Sequence, residues 1–403
     1  MILRTRDIIG QIRQGEIPKG YIRTVSGISP TDWKRYTFGD IYTERKEPGS
    51  EELPLLMVSI HSGVSDGEVD EEELPKKVKR IEDKSQYKKA VSGDLVFNMM
   101  RAWQGAIGTV RTTGMVSPAY IVAKPNDKVY PLFMDYYTRT PQMINQINRQ
   151  SYGVTDFRKR LYWDSFAPIG CTLPPIEEQR KIAAILTTQD KVIELKEKCL
   201  AEKQRQKKYL MQQLLTGEKR LPGFVGKWKI FGFNEIFTTI STKDHQINKA
   251  EYETEGRYPV VDQGKQLIAG YSNKTGKVLV CPKDGLVVFG DHTREIKFIN
   301  FDFIVGADGT QLLTAKSENA GIKYLFYYLL NKEIHSDGYS RHFKYVKEFT
   351  YRLPPLKEQS AIVKILSAAD REIDLIRQDI EQEKQKKKAL MQLLLTGIVR
   401  VKT

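Results

Sequence analysis

One heptapeptide occurs twice in this chain, and its recurrence limits the fold more than any other feature. Leu173-Pro174-Pro175-Ile176-Glu177-Glu178-Gln179 returns 180 residues later as Leu353-Pro354-Pro355-Leu356-Lys357-Glu358-Gln359. The register holds without a gap through Leu214-Leu215-Thr216-Gly217 and Leu394-Leu395-Thr396-Gly397, and 21 of the 49 positions in 173–221 are identical in 353–401. A weaker echo joins the preceding regions. Trp33-Lys34 matches Trp228-Lys229, Val96-Phe97 matches Val288-Phe289, and Leu132-Phe133 matches Leu325-Phe326, with an offset that drifts between 192 and 195. Self-similarity of this kind means two copies of one structural plan. The order is variable domain, shared segment, variable domain, shared segment. Nearly identical segments do the same job twice, and the divergent ones do related jobs on different targets.

The shared segments read as long helices. Pro175 and Pro355 suit a helix entry, and Glu177, Glu178 and Glu358 suit its positive end. Apolar residues then recur three or four apart: Ile182, Ile185, Leu186, Ile193, Leu200, Leu210 and Leu214, with a matching series from Ile362 to Leu394. Gly217 and Gly397 stand where a helix-ending glycine belongs. A helix of some forty residues is about 60 Å long and needs a partner for its apolar stripe. The two copies supply it as an antiparallel coiled coil, although Lys196, Lys203, Lys207 and Lys387 interrupt the seam. The fold expected is α+β: two mixed α/β domains separated by two long helices packed as an antiparallel coiled coil, with a pseudo-twofold internal repeat. The boundaries read as an N-terminal arm 1–30, a variable domain 31–172, a helical spacer 173–221, a second variable domain 222–352 and a second spacer 353–403. Ile8, Ile9 and Ile12 give the arm a short helix.

Within the variable domains, strand-like runs fall at 55–60, 95–97, 119–122, 278–281, 286–289 and 303–305, with helical stretches at 132–150 and 322–334. A basic, glycine-marked loop follows each helical stretch. The first holds Ser151-Tyr152-Gly153 and Arg158-Lys159-Arg160, the second Gly338 to Lys344 with Arg341. Interleaved aromatic and basic residues suit contact with nucleic acid, and a solvated connector is the plainer alternative for any one of them. Trp33 and Trp228 read as packing residues.

Lys and Arg number 64 against 50 Asp and Glu, a net charge of +14. Such an excess favours a polyanionic partner. It divides as +4, +4, +3 and +3 over 1–172, 173–221, 222–352 and 353–403, so a binding surface has to be assembled from several parts of the fold. Three distant cysteines exclude a disulfide framework and fit a reducing cytoplasm. No run approaches a membrane span, and the start lacks a secretory signal. Gly63-Val-Ser65-Asp-Gly67 matches a hydrolase elbow, but an acidic run, not a helix, follows it. Gly270 to Val278 mimics a phosphate loop with the wrong spacing. The five histidines make no metal site. No catalytic set and no metal site is legible.

At the repeated L-P-P-x-x-E-Q, helix, L-L-T-G segments, the chain resembles the DNA-specificity subunits of type I restriction-modification systems, over essentially all of 31–403. Val91 to Gly108 with Val116-Ser-Pro-Ala-Tyr120 looks like a first target-recognition domain. Tyr258 to Tyr271 with Phe289-Gly-Asp-His-Thr-Arg294 looks like a second. The resemblance implies that each domain reads one half of a split double-stranded DNA site, and that the helices set the gap and dock two methyltransferase subunits. Motor-nuclease subunits then join, and the chain itself has no active site. The methyl donor, ATP and Mg would belong to those partners. Loop residues with major-groove donors are the expected contacts. These are Arg101, Gln104, Arg158, Lys159 and Arg160 in the first domain, and Gln263, Lys265, His292, Arg294, Arg341 and Lys344 in the second. Glu178, Gln179, Glu358 and Gln359 are candidates for the methyltransferase interface. The competing readings are a subunit of a methylation-only or fused restriction system, an enzyme with an unrecognised catalytic domain, and a coiled-coil scaffold.

Overall fold

A computed structural model describes residues 5–24, 27–65, 67, 83–155, 158–316, 318–336, 338 and 340–401. The acidic run 68–73, with Asp66 and Tyr339, lies outside them. The chain divides into two units, residues 1–195 with 380–403, and residues 196–379. The boundary therefore runs through both long helices and not at their ends. Each unit combines one variable domain with the head of one helix and the tail of the other.

The first long helix spans Ile176–Thr216 and the second Leu356–Leu394. Both end on a left-handed glycine, Gly217 at φ +79° and Gly397 at φ +72°, a conformation that costs any residue with a Cβ. Space excludes one as well. A Cβ at Gly217 would lie 3.1 Å from the ring of Trp228, and one at Gly397 would lie 2.5 Å from Pro30 and 3.0 Å from Trp33. The two tryptophans are thus seats for the helix ends. Trp33 is buried and Trp228 half-buried.

In the first unit, the strands Tyr42–Glu44, Tyr120–Pro125, Leu95–Asn98 and Ile107–Thr109 form an antiparallel sheet in that spatial order. In the second, Phe237–Ile240, Thr310–Ala315, Leu286–Gly290 and Ile296–Ile299 form the same sheet in the same order. A further antiparallel pair closes each domain. The strand after the tryptophan, Lys34–Thr37 or Lys229–Phe231, meets the strand before the Pro-Pro, Gly170–Leu173 or Tyr351–Leu353. The frame is duplicated, whereas the additional strands differ. The second unit adds a four-stranded sheet with Tyr258–Val261 parallel to Phe303–Val305, and the first adds three short two-stranded pairs among the described residues.

Each core lies between its sheet and its helix segments. Phe38, Phe97, Phe133 and Phe166 pack with Ile182 and Leu186 from the head of the first helix and with Leu394 and Leu395 from the tail of the second. In the other unit, Phe233, Phe289, Tyr324 and Leu325 pack with Ile362, Leu366, Leu214 and Leu215. Burying such side chains stabilises by about 1.5–3 kcal/mol each before entropy is charged.

Three expectations change. The helical stretch 132–150 is two helices, Pro131–Tyr137 and Pro141–Arg149. Pro141 lacks an N–H and disfavours helix in the residue before it, so Thr140 becomes a cap. Of the run 55–60 only Val58–Ser59 forms a strand, with Leu55 in an isolated bridge to Met115, and 278–281 pairs only at Val278–Leu279. Lastly, the lysines that interrupt the seam are paired with acids on the antiparallel helix. Lys196 reaches Asp379 at 2.7 Å, Lys203 reaches Glu372 at 2.7 Å, and Lys207 reaches Asp370, all in the second unit; Lys387 reaches Asp190 at 2.5 Å in the first. Solvent screens such pairs, so their main effect is to fix register. The short N-terminal helix is present at Thr5–Arg13.

Candidate nucleic-acid interface

The first domain brings two of its basic loops together. Met99 to Gly105 follows the central strand Leu95–Asn98 and carries Arg101 and Gln104, both exposed. The second loop is pinched at its base by paired backbone bonds. Tyr152 N–H donates to Arg160 O (2.9 Å), and Arg160 N–H donates to Tyr152 O (2.7 Å). Leu161 N–H donates to Met99 O at 2.8 Å, which docks one loop on the other. Lys159 completes the joint. Its ammonium lies 5.0 Å from the centre of the Trp103 ring and donates to Asn148 Oδ1 at 3.1 Å. Arg101, Gln104 and Arg158 are exposed on this joined surface, and Lys159 and Arg160 are partly covered. Lys159 therefore positions the loops. Exposed Tyr152, the aromatic of this loop, stands among these residues with exposed Val154 and Tyr162, which carry no charge to mark them in the sequence.

Gly153 makes the pinch possible. A Cβ there would fall 2.5 Å from Lys159 N and 2.6 Å from Arg158 C. Gly153→Ala is expected to break the Tyr152–Arg160 pairing while the sheet holds. Amide exchange at Arg160 should rise at least tenfold, the equivalent of about 1.4 kcal/mol of a typical overpacking cost. Unchanged protection would refute this account.

In the second domain, four loops meet. Gln263 donates from Nε2 to Asp308 O (2.8 Å) and accepts from His292 N–H at 3.1 Å. Buried Asp291 accepts from Phe343 N–H through its carboxylate and from His342 N–H through its carbonyl, both at 2.8 Å. Buried Lys297 donates to Asp262 O and Gln266 O, and burial pushes its pKa down. Lys265, Arg294, Arg341 and Lys344 are exposed around this cluster. Gln263, one of the expected major-groove donors, is half-buried and its amide bonds within the loops, so it positions them. His292 is half-buried beside it. Asp291, Thr293 and Asp308 were missed, because an acid in a loop carries no sign of which backbone it will tie.

Glu178, Gln179, Glu358 and Gln359 are not a partner surface. All four are at most 1% exposed. Glu178 accepts from Arg400 Nε and Nη2 at 2.8 Å each, and Glu358 accepts from Arg220 at 3.0 and 2.5 Å. Each arginine comes from the other copy of the repeat. Gln179 accepts from Tyr130 N–H and donates to Lys128 O and Pro174 O; Gln359 accepts from Gly321 N–H and donates to Asn319 O and Pro354 O. A tyrosine makes a third lock. Tyr136 donates to Asp190 and Tyr327 to Asp370, each at 2.6 Å, under Lys387 and Lys207 respectively. One signal for these locks was available. Glu178, Gln179, Asp190, Lys207 and Arg220 are all identical in the second copy.

Among the described residues, no helix is long and apolar enough to cross a membrane. Among the described residues, no group of three His, Cys, Asp or Glu could hold a metal. Ser65 of the elbow-like motif donates its hydroxyl to Gly67 O. Burial pushes the Cys171 thiol up to about 12, which removes it as a nucleophile.

Two domains on one frame, each carrying a basic loop cluster and each locked to a shared helical segment, define a duplicated recognition protein. The family model described as the type I restriction modification DNA specificity domain matches residues 76–203 and 226–385, more than half of the chain, and the chain belongs to that family. It is 24% identical over 427 residues to the type I restriction enzyme MjaVIII specificity subunit of Methanocaldococcus jannaschii, across 93% of this chain and 94% of that one. A second chain of that organism, named as the MjaX specificity subunit, is 27% identical over 317 residues, 70% of this chain and 72% of that one. Among solved structures, the S subunit of a type I restriction-modification system from M. genitalium superposes with a TM-score of 0.60 at 13% identity. The match covers 90% of this chain and 96% of that one, and it is a likeness of fold.

Proposed function

We propose that this chain is the non-catalytic DNA-specificity subunit of a type I restriction-modification complex. The observation that carries the reading is the duplication itself. The family's domain occurs twice, each copy with its own cluster of exposed basic side chains on loops tied to one another by hydrogen bonds. Loops so held suit direct readout of base edges, while the flanking cations hold phosphates. Because the loop residues differ between the copies, the two half-sites differ, and the site is split and asymmetric. The long helices set the gap and give two methyltransferase subunits their seats, and motor-nuclease subunits complete the cutting complex. Methyl donor, ATP and Mg belong to those partners, and the assembly works in the cytoplasm.

The methylation map of host DNA, with and without this gene and with the partner genes present, tests the reading. Loss of one split motif with unequal halves and a fixed gap is the expected result, and an unchanged map would refute it. Removing two turns from each helix at matched positions should change the gap and leave the bases of both halves as they were. An unchanged gap would refute the ruler.

A further inference from the structure

Arg294 is the one non-glycine residue with positive φ among the described residues, at +63°. It sits in the turn 291–295 between strands Leu286–Gly290 and Ile296–Ile299, where Gly290 N–H donates to Glu295 O and Arg294 N–H donates to Gly290 O, both at 2.8 Å. Hairpin turns put glycine or asparagine at such a position, because a Cβ meets the carbonyl there. The turn itself therefore gains nothing from arginine. Its guanidinium donates one bond inward, from Nη1 to Ile334 O at 3.1 Å, and the residue stays exposed.

The surroundings hold this strained residue on three sides. The carbonyl and carboxylate of Asp291 take the N–H groups of His342 and Phe343. Thr293 donates its hydroxyl to Gln263 O. Gln263 in turn binds His292 N–H and Asp308 O. Such a turn pays little ordering cost when it binds, and a guanidinium tethered through Nη1 on an exposed residue keeps Nε and Nη2 as further donors for a forked contact. Strain retained at a rigid, exposed point is a mark of function.

We infer that Arg294 is a specificity-determining residue of the second domain and reads a guanine of the second half-site through O6 and N7. The inference rests on the DNA-specificity reading above. Guanine is the base whose two adjacent acceptors match a guanidinium fork in the major groove.

The test uses the full chain assembled with its methyltransferase subunits and compares wild type, Arg294→Gly and Arg294→Lys. Each is measured against a duplex carrying the mapped site, against the same duplex with 7-deazaguanine at each guanine of the second half in turn, and against a scrambled duplex. Arg294→Gly should leave the Tm undiminished or raise it by up to about 4 °C. It should also weaken binding to the mapped site roughly 10- to 100-fold and leave scrambled-duplex binding within twofold. One 7-deazaguanine position should weaken the wild type and have no effect on the glycine variant. Arg294→Lys should lose that discrimination, because an ammonium cannot fork. A glycine variant that binds the site like wild type, or that loses Tm, overturns the assignment, as does a lysine variant with full discrimination. A wild type that does not prefer its mapped site to the scrambled duplex overturns the DNA-specificity reading and the assignment with it.

Discussion

Arg400→Ala should loosen the end of the chain from the first unit at a cost of about 2–3 kcal/mol. Glu178 is 1% exposed, and its two strongest partners are the Nε and Nη2 of Arg400. Without them the buried carboxylate keeps only Val401 N–H at 3.2 Å. Breaking a buried pair from one side costs about 3–5 kcal/mol, and water reaching the site of the partly exposed Arg400 lowers that to about 2–3 kcal/mol. Amide exchange should show Leu395 and Val399 losing protection while amides of residues 196–379 keep theirs. Glu178→Gln in the same background should recover part of the loss, since a neutral amide is cheaper to bury. Protection at wild-type level in Arg400→Ala would refute the lock. Arg400 also forks onto Asp32 at 2.8 Å twice, and that hydrogen bonding holds the carboxyl of Asp32 below its ordinary value. A depressed carboxylate contributes stability above its unfolded pKa and loses it as pH falls through the folded pKa. The wild type should therefore lose a small increment below about pH 4 that Arg400→Ala lacks. Lys227 stands in the second unit where Asp32 stands in the first, so Arg220→Ala should show the structural loss without that acid-side increment.

The second large effect is expected at Gln359→Ala. This side chain is 1% exposed and serves three backbone groups at once. It accepts from Gly321 N–H at 3.0 Å and donates to Pro354 O at 2.8 Å and Asn319 O at 3.1 Å. Alanine leaves all three without it. A buried orphan group costs about 1–3 kcal/mol, and water can reach the outer carbonyl, so the sum is about 2–4 kcal/mol. The damage should centre on the entry to helix Ile322–Leu330, which Gly321 caps. Gln179→Ala should do the same where Tyr130 precedes helix Pro131–Tyr137. Urea melts of both variants, with exchange at the two helix entries, check this. A loss below about 1 kcal/mol at both sites would show that solvent satisfies these groups without help.

These two locks explain why E-Q recurs. The family resemblance offers these residues as a docking surface, and the structure buries all four. Instead, the glutamate meets an arginine of the other copy, and the glutamine ties the Pro-Pro turn to the loop ahead of a helix. Sequence distance hides such a contact: Glu178 and Arg400 are 222 residues apart. The contact could have been suspected from Arg220 and Arg400, which are identical across the repeat yet lie beyond the helix. The basic loops were legible because lysine, arginine and glycine clusters are local signals. The division of labour within them was not. Lys159 on Trp103 and Gln263 between Asp308 and His292 turn from contact to support only when neighbours from distant loops are in place.

The sequence alone determined the duplication, the extent and ends of both long helices, the positions of the central strands and the excess of positive charge. Each depends on periodicity, on a stop residue or on a count, and all of these are properties of a single stretch of chain. Only the tertiary structure decided that the units divide the helices between them, that the seam lysines are answered by acids from the facing helix, and that Glu178 and Glu358 are inside. It also decided which basic residues are exposed on the loops and which hold those loops in shape. Those outcomes depend on which groups are left to satisfy one another once water is excluded, and that pairing is set by packing between segments hundreds of residues apart.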